Sequence, residues 1–252
     1  MGSLHYDRQS DVLLKIYNEP EISIKEGQTP YNFIHGFSAN KLLQAKDTGW
    51  TAAGIAAAQC GVPLSPFGIL SFNHFGLTNE FLTNTTCLGD LLEERGYDLT
   101  SIQGADVSFA GQKNLFGKHG YKTVFGYHEL AQLYPNRKQH GGNDGRNDWG
   151  YTDDTVFIAA MDALEKAQAK SNPFGIVLQT IGGHSPNGNF APDCEGRPEL
   201  QAVSISILKS NYCTNLLVKE FFERARDRGL LENTIVIVQS DHFPPNQKSA
   251  RF

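Results

Sequence analysis

The chain has 252 residues, of which 40% are hydrophobic and 11% aromatic, enough to bury a sizeable core in one large domain or two small ones. Its formal net charge is −5 and no run of lysine or arginine stands out, which argues against a nucleic-acid-binding protein. The most apolar window, residues 48–64, is interrupted by Gln59 and Gly61 well short of the roughly 20 residues that a membrane span needs, and no signal-peptide pattern stands at the start.

The predicted elements alternate between strands and helices, as expected when helices cover a mostly parallel sheet. The first predicted strand is DVLLKIYNE, residues 11–19, and an Ala-rich helix begins at Thr51. A short helix is predicted over 85–95 with Gly96 as its C-cap, and residues 97–104 form the next strand.

The second half of the chain continues this alternation. Residues 134–150 are rich in glycine, asparagine and charge, and are predicted to form a surface loop within one domain. A helix over 154–170, a strand over 174–180 and a long helix over 203–228 follow. TIVIVQSDH, residues 234–242, has the strongest strand pattern of the chain. An α/β fold is therefore expected.

The four cysteines show none of the CxxC or Cys/His spacings that zinc sites use. Two structural disulfides or four buried thiols remain, and three pairings are open if all four are oxidised. The nearest-neighbour choice joins Cys60 to Cys87 and Cys194 to Cys213, closes two modest loops, and is preferred for an oxidising compartment.

Polar residues follow three of the predicted strands, at the strand ends where ligands gather in open α/β sheets. Glu19 is at the end of the first strand, His184 follows strand 174–180, and Asp241 and His242 are at the end of the last strand. A carboxylate beside an imidazole is an apt ligand pair for a divalent cation such as Mn²⁺ or Zn²⁺. The alternative is a surface aspartate with a hydrogen-bonded histidine.

Thr51 opens the Ala-rich helix at a position where alanine would serve a plain core helix as well. A helix N-terminus directs free N–H groups and partial positive charge at its first residue, which creates an anion site. A phosphate would bind there, and a hydroxyl coordinated to a metal would lose its proton more readily and become a nucleophile. The alternative is that Thr51 is only the N-cap, worth about 1 kcal/mol to the helix.

Six motifs, in order along the chain, resemble the bacterial phosphoglycerol transferases that decorate periplasmic glucans: TGWTAAGIAAAQCGVPL, CLGDLLEERGY, IQGADVSFAG, NDWGYTDDTV, GGHSPNG and SDH. The chain is more distantly similar to lipoteichoic acid synthases of the alkaline phosphatase/sulfatase superfamily. The resemblance runs from about Gly36 to His242. It implies a single sulfatase-like catalytic domain over residues 1–252, abbreviated at both ends, with a mostly parallel sheet between helices on both faces in three α/β/α layers.

The resemblance also implies a role for individual residues. Thr51 matches the metal-bound nucleophile that takes the phosphoglycerol group covalently, and Asp241 and His242 match metal ligands. His184 matches the substrate-binding histidine, and Asp106 falls at a substrate-binding position that varies in the family. The implied cofactor is one divalent cation, Mn²⁺ in preference to Mg²⁺ or Zn²⁺.

Two positions depart from the patterns of related enzymes. The metal-binding glutamate of the family ends the first strand in a Glu-Ser-Leu-like context, whereas Glu19 here lies in YNEP and closer to Thr51 than the family pattern. We take Glu19 as the fourth candidate ligand. Sulfatases use a Cys or Ser in a C-x-P-x-R context, and the run from Cys60 to Leu64 lacks both the spacing and the arginine. Sulfate ester hydrolysis is therefore disfavoured.

The expected activity is transfer of phosphoglycerol from a phospholipid donor to a glycan acceptor, at the periplasmic face of the inner membrane. The resemblance also implies cysteines at all four matching positions, which favours oxidised pairs. The membrane-spanning segments that precede such catalytic domains are not found in this sequence, so contact with the membrane is expected only through other segments of a parent protein. Two alternatives remain: a phosphodiesterase or phosphatase that uses water as acceptor, and a catalytically silent binding domain of the same fold.

Overall fold

The computed structural model describes residues 45–64, 72–137, 139–140 and 149–242. The strand predicted over 11–19, with Glu19 at its end, lies outside the described residues. The helices are α1 (Thr51–Cys60), α2 (Leu88–Glu93), α3 (Gln112–Lys118), α4 (Tyr127–Leu133), α5 (Asp153–Gln168) and α6 (Ser206–Asp227). The strands are β1 (Asp98–Gln103), β2 (Tyr121–Phe125), β3 (Gln139–His140), β4 (Gly150–Tyr151) and β5 (Phe174–Gln179).

A sheet of three parallel strands lies at the centre, in the order β2-β1-β5. Strands β1 and β5 pair along their whole length, from Asp98 opposite Phe174 to Gln103 opposite Gln179. The carboxyl ends of these two strands are therefore side by side. Strands β3 and β4 form a separate antiparallel pair.

Helices cover both faces of this sheet because successive strand side chains point to opposite faces. Leu99 of β1 packs in a core cluster with the alanines of α1 and with Leu115 and Phe116 of α3. Ile102, on the other face of β1, packs in a second cluster with Val156 of α5. These two clusters give the three α/β/α layers that the sequence predicts.

The prediction of a last strand over TIVIVQSDH is wrong. Residues 234–240 have no regular secondary structure, and Ile235 and Ile237 are 90% and 77% exposed. A β-branched run favours a strand only where it finds a pairing partner and a surface to pack on. Within the described ranges, no strand pairs with this segment.

Both preferred disulfides are present. The Cys60–Cys87 bridge joins the last residue of α1 to the residue that precedes α2, and Cys194–Cys213 joins the loop after β5 to α6. The described part of the chain holds no free cysteine. None of its helices has the length and apolar character needed to cross a membrane.

Replacing both cysteines of the second bridge, in Cys194→Ser/Cys213→Ser, should lower the free energy of unfolding by about 3 kcal/mol, because the bridge restricts the unfolded chain. The sequence separation is 19 residues in this bridge and 27 in the other, so Cys60→Ser/Cys87→Ser should cost a similar amount. Urea unfolding without reductant measures both. A loss below about 1 kcal/mol in either double variant would contradict a bridge that constrains the unfolded chain.

Candidate active site

One part of the candidate site, the loops that carry Trp149 and His184, lies at the carboxyl ends of β1 and β5, where close backbone approaches bring loops together. The N–H of Tyr151 donates to the carbonyl of Gly104, which follows β1, at 3.0 Å. A Cβ on Gly104 would lie 1.9 Å from the Tyr151 carbonyl oxygen, and one on Gly150 would lie 2.2 Å from the Gly104 oxygen. Only glycine permits both contacts, so these residues fix the β4 strand against the end of β1.

Thr51 is the first residue of α1, and its side chain is buried, with 5% exposure. Trp50 has the extended backbone of the N-cap residue, so the interpretation of Thr51 as the N-cap is wrong. The free N–H of Ala52 donates to the side-chain oxygen of Asn73 at 3.0 Å, a partner that the sequence patterns did not reveal. The Thr51 hydroxyl donates no hydrogen bond to any described residue.

The Asp241–His242 segment lies against the first turn of α1. A Cβ on Gly54 would lie 2.1 Å from the carbonyl oxygen of Asp241, so the two backbones are in direct contact. Gly54 follows Thr51 by three residues, about one helical turn. The structure therefore brings the helix that begins with Thr51 together with the Asp-His pair.

Asp241 and His242 interact with each other as well as lying beside α1. Their side chains are 36% and 21% exposed, and His242 Nε2 lies 3.4 Å from Asp241 Oδ2. The backbone N–H of His242 donates to Asp241 Oδ1 at 2.9 Å. A carboxylate and an imidazole are an oxygen and a nitrogen donor of the kinds that bind Mn²⁺ or Zn²⁺, and the role of this pair as metal ligands stays a prediction.

His184 is held on the loop that follows β5. Its Nδ1 lies 2.8 Å from the Ser185 carbonyl oxygen, which only accepts, so Nδ1 carries the proton. Its backbone N–H donates to the Ile181 carbonyl at 3.0 Å, and its own carbonyl accepts from the Gly188 N–H at 2.8 Å. The Nε2 atom makes no hydrogen bond within the described part of the chain.

Trp149 adds an aromatic surface to the site, which the sequence reasoning missed. Its ring centroid lies 4.0 Å from that of His184, and Phe109 meets it edge-on at 4.9 Å. Trp149 precedes β4, so the contacts of Gly104 and Gly150 bring it to the end of β1. The signal was available in the NDWGYTDD motif, where a tryptophan comes directly before a glycine and, three residues further on, two aspartates.

Asp106 lies three residues beyond β1, and its carboxylate has two protein partners. The Ser108 N–H donates to Oδ1 at 2.7 Å, and His128 Nε2 lies 3.0 Å from Oδ2. Burial raises the pKa of this carboxyl, but the Ser108 hydrogen bonds and the nearby His128 lower it more, so the pKa lies below its usual value. Its substrate-binding role stays a prediction.

A second group of metal-ligand types occurs elsewhere, around the first disulfide. Cys60, Cys87 and His119 lie close together, but the two sulfur atoms are bonded to each other and do not coordinate metal as a disulfide. The His119 ring is already paired, with Nδ1 2.8 Å from Asp90 Oδ2. This group is a structural part of the core.

Solved structures share this three-layer fold. A protein of the alkaline phosphatase superfamily from Vibrio parahaemolyticus matches with a TM-score of 0.52 and 20% identity, over 71% of this chain and 40% of that one. The lipoteichoic acid synthase LtaP from Listeria monocytogenes matches with a TM-score of 0.55 and 14% identity, over 88% of this chain and 47% of that one. The fold is thus that of the alkaline phosphatase superfamily.

The sequence comparisons place the chain more closely. The Sulfatase family model matches residues 38–250, and the chain belongs to this family. Proteins named phosphoglycerol transferase I from Citrobacter koseri and Salmonella choleraesuis are 28% identical to it over 224 residues, which is 86% of this chain. The aligned region spans only 28% of the length of those relatives.

Gly54→Ala should separate the Asp-His segment from α1, because a methyl group would overlap the Asp241 carbonyl. Overpacking of this kind typically costs about 1–3 kcal/mol of unfolding free energy. Gly117→Ala is the matched control, since a Cβ there meets nothing within 4 Å and alanine favours the helix. The ring resonances of His242 should move only in Gly54→Ala; unchanged resonances would contradict the contact.

Proposed function

We propose that this chain is a metal-dependent phosphoglycerol transferase domain that moves phosphoglycerol from a phospholipid to a glycan through a covalent Thr51 intermediate. The observation that supports this most directly is the buried Thr51 hydroxyl at the start of a helix whose first turn contacts Asp241. These residues supply a candidate nucleophile, the positive end of a helix dipole, and a carboxylate beside an imidazole. Together they suit attack on an anionic phosphodiester.

In the first step, the Thr51 hydroxyl loses its proton and its oxygen forms a bond to phosphorus, while the bond from phosphorus to the diacylglycerol oxygen breaks and that oxygen takes up a proton. The N-terminus of α1 stabilises the negative charge on the phosphoryl oxygens. In the second step, a glycan hydroxyl loses its proton and its oxygen attacks phosphorus, and the Thr51 oxygen leaves and is protonated again. When bound, a divalent cation supplies Lewis acidity that lowers the pKa of the Thr51 hydroxyl and stabilises charge on the phosphate.

The proposed cation ligands are Thr51, Asp241, His242 and, from outside the described residues, Glu19. Mn²⁺ is the proposed ion, with Mg²⁺ or Zn²⁺ as alternatives. His184 is proposed to hold the phosphoryl oxygens or the glycerol through Nε2, because its Nδ1 is already committed to the Ser185 carbonyl. Trp149, packed against His184, lines the same place.

The names of the relatives favour phosphoglycerol over sulfate as the transferred group. Two curated relatives are named phosphoglycerol transferase I, and a structural neighbour is a lipoteichoic acid synthase. In addition, Cys60 is bonded to Cys87, so it is unavailable as a precursor of formylglycine. The two disulfides agree with the proposed location at the periplasmic face of the inner membrane, an oxidising compartment.

Thr51→Ala should lower transfer from phosphatidylglycerol vesicles to a glucan oligosaccharide by at least about 10³-fold, because no other group replaces the nucleophile. Thr51→Ser keeps the hydroxyl and should retain part of the activity. Thr48→Ala is the control, since Thr48 is similarly buried near the start of α1 but donates to the Ala45 carbonyl. Mass spectrometry of acid-quenched protein should find one phosphoglycerol group on residue 51.

Full transfer by Thr51→Ala would reject the covalent mechanism. The same assay separates the acceptors: release of free phosphoglycerol that does not depend on oligosaccharide would indicate a hydrolase. A protein that forms neither product nor adduct would be a binding domain of this fold.

Asp241→Asn and His242→Gln should each lower bound Mn²⁺ below one ion per chain, because each removes a proposed ligand. Elemental analysis after dialysis measures the ion, and chelation of the unchanged protein should abolish transfer. His128→Gln is the control, because His128 pairs with Asp106 and is not a proposed ligand. Equal metal content in all four proteins would contradict the ligand set.

A further inference from the structure

The carboxylate of Asp153, the first residue of α5, is fully buried and accepts three hydrogen bonds. Its Oδ1 accepts from the Ile181 N–H at 2.8 Å, and its Oδ2 accepts from the Gly182 N–H at 2.9 Å. The hydroxyl of Thr214, on α6, also donates to Oδ2. A buried carboxylate is costly unless it is hydrogen-bonded, and here both oxygens have partners.

These three bonds connect α5, α6 and the loop after β5 at one point. The loop comes so close that a Cβ on Gly182 would lie 1.9 Å from the Thr214 Oγ1 atom and 2.5 Å from Asp153 Oδ2. A Cβ on Gly183 would lie 2.5 Å from the Asn211 side-chain oxygen. The two glycines therefore allow the loop to reach the buried carboxylate, and the residue after them is His184.

The loop is also closed on itself, so a shift at Ile181 and Gly182 is transmitted to His184. The Asn189 N–H donates to the Gly182 carbonyl, and the Asn189 side chain donates to the Ile181 carbonyl, both at 3.0 Å. The Ile181 carbonyl also accepts from the His184 N–H at 3.0 Å. Ile181, one of the residues that donate to Asp153, is thus hydrogen-bonded directly to the backbone of His184.

We propose that Asp153 is a positioning residue that sets the place of the His184 imidazole for the phosphoglycerol group. This inference rests on the proposed function for the role of His184, but the placement of the ring by Asp153 is testable without activity. Asp153 itself does not contact substrate, because it is fully buried. It acts through the two N–H groups that precede the Gly183–His184 step.

Asp154 provides a matched comparison, because it is an adjacent buried carboxylate with different partners. Its Oδ1 accepts from the Thr152 hydroxyl at 2.6 Å, and its Oδ2 lies 2.8 Å from the Arg137 guanidinium. It also accepts from the Asp193 N–H, in the loop that carries the second disulfide. Asp154 therefore holds a different loop, and Asp154→Asn reproduces the chemical change without touching residues 181–184.

In Asp153→Asn, the new NH₂ group must face the N–H of Ile181 or that of Gly182, since each carboxylate oxygen accepts from one of them. One donor is then left unsatisfied in a buried place, and the loop shifts or loosens. Hydrogen exchange of residues 181–189 should rise about tenfold or more, and the ring resonances of His184 should move. Asp154→Asn should change neither.

The kinetic test is a double-mutant cycle in the transfer assay. Asp153→Asn should lower kcat/KM by about tenfold or more, because small displacements of a binding group are costly to catalysis. In a His184→Ala background, Asp153→Asn should lower kcat/KM little further, since the imidazole through which Asp153 acts has been removed. Asp154→Asn should have the same small effect in both backgrounds. Equal losses from Asp153→Asn in both backgrounds would overturn the proposal.

Thr214→Val removes only one of the three hydrogen bonds, and so tests the same point if Asp153→Asn fails to fold. It should raise exchange of residues 181–189, while Thr214→Ser, which keeps the hydroxyl, should behave like the unchanged protein. If exchange and the His184 resonances stay unchanged in Asp153→Asn and Thr214→Val, the positioning role is rejected. If they change but the unchanged protein transfers no phosphoglycerol, the placement of the ring by Asp153 stands and the proposed function fails. Normal transfer by His184→Ala would reject the role of the ring in binding the phosphoglycerol group.

Discussion

The contact between Gly54 and the Asp241 carbonyl is the constraint on which the candidate site depends. It joins the helix that begins with Thr51 to a segment almost two hundred residues later, which no local interaction brings near. A side chain at position 54 would push the two backbones apart, so the approach of the Asp241 backbone to the first turn of the helix depends on a missing Cβ. The same requirement recurs at Gly104 and Gly182, where loops pack against neighbouring backbone or side chains. Glycine is therefore the residue type that permits each of these close approaches.

Buried carboxylates hold in place the loops that glycine allows to come close. Asp153 and Asp154 open α5 as neighbours, yet each holds a different loop, one carrying His184 and the other Asp193 and the second disulfide. Burial raises the pKa of the Asp153 carboxyl above its ordinary value, while its hydrogen bonds oppose that rise. Such groups stabilise only one arrangement of their partners, because any other leaves a donor unpaired. The loops around the site thus gain a defined geometry from the first turn of a single helix.

The sequence predicted the elements whose pattern is long and regular. Helices α5 and α6 and strands β1 and β5 lie where apolar periodicity places them, since burial against the sheet is what that periodicity records. It did not predict β2 or α3, because they are short and their residues become buried only through contacts with distant elements. It also predicted a strand that includes residues 234–240, but this β-branched segment has no pairing partner among the described strands and its isoleucines are exposed. Among the candidate site residues, Thr51 and His184 were proposed from motif context, whereas Trp149 and Asn73 were not, because they are identified only by contacts across the fold.

Membership of the Sulfatase family leaves open which ester the site handles, and the local chemistry narrows that choice. A formylglycine enzyme needs a free cysteine or serine as precursor at the helix, but Cys60 is at the far end of α1 and bonded to Cys87. The polar residue at the near end is Thr51, the buried first residue of the helix. A hydroxyl is a weak nucleophile that requires activation, and the Asp241–His242 segment, whose backbone contacts the first turn of this helix, carries the groups with which proteins bind an activating cation. The position of the disulfide at one end of α1 and of the hydroxyl at the other therefore favours phosphoryl over sulfuryl chemistry, independently of the names of the relatives.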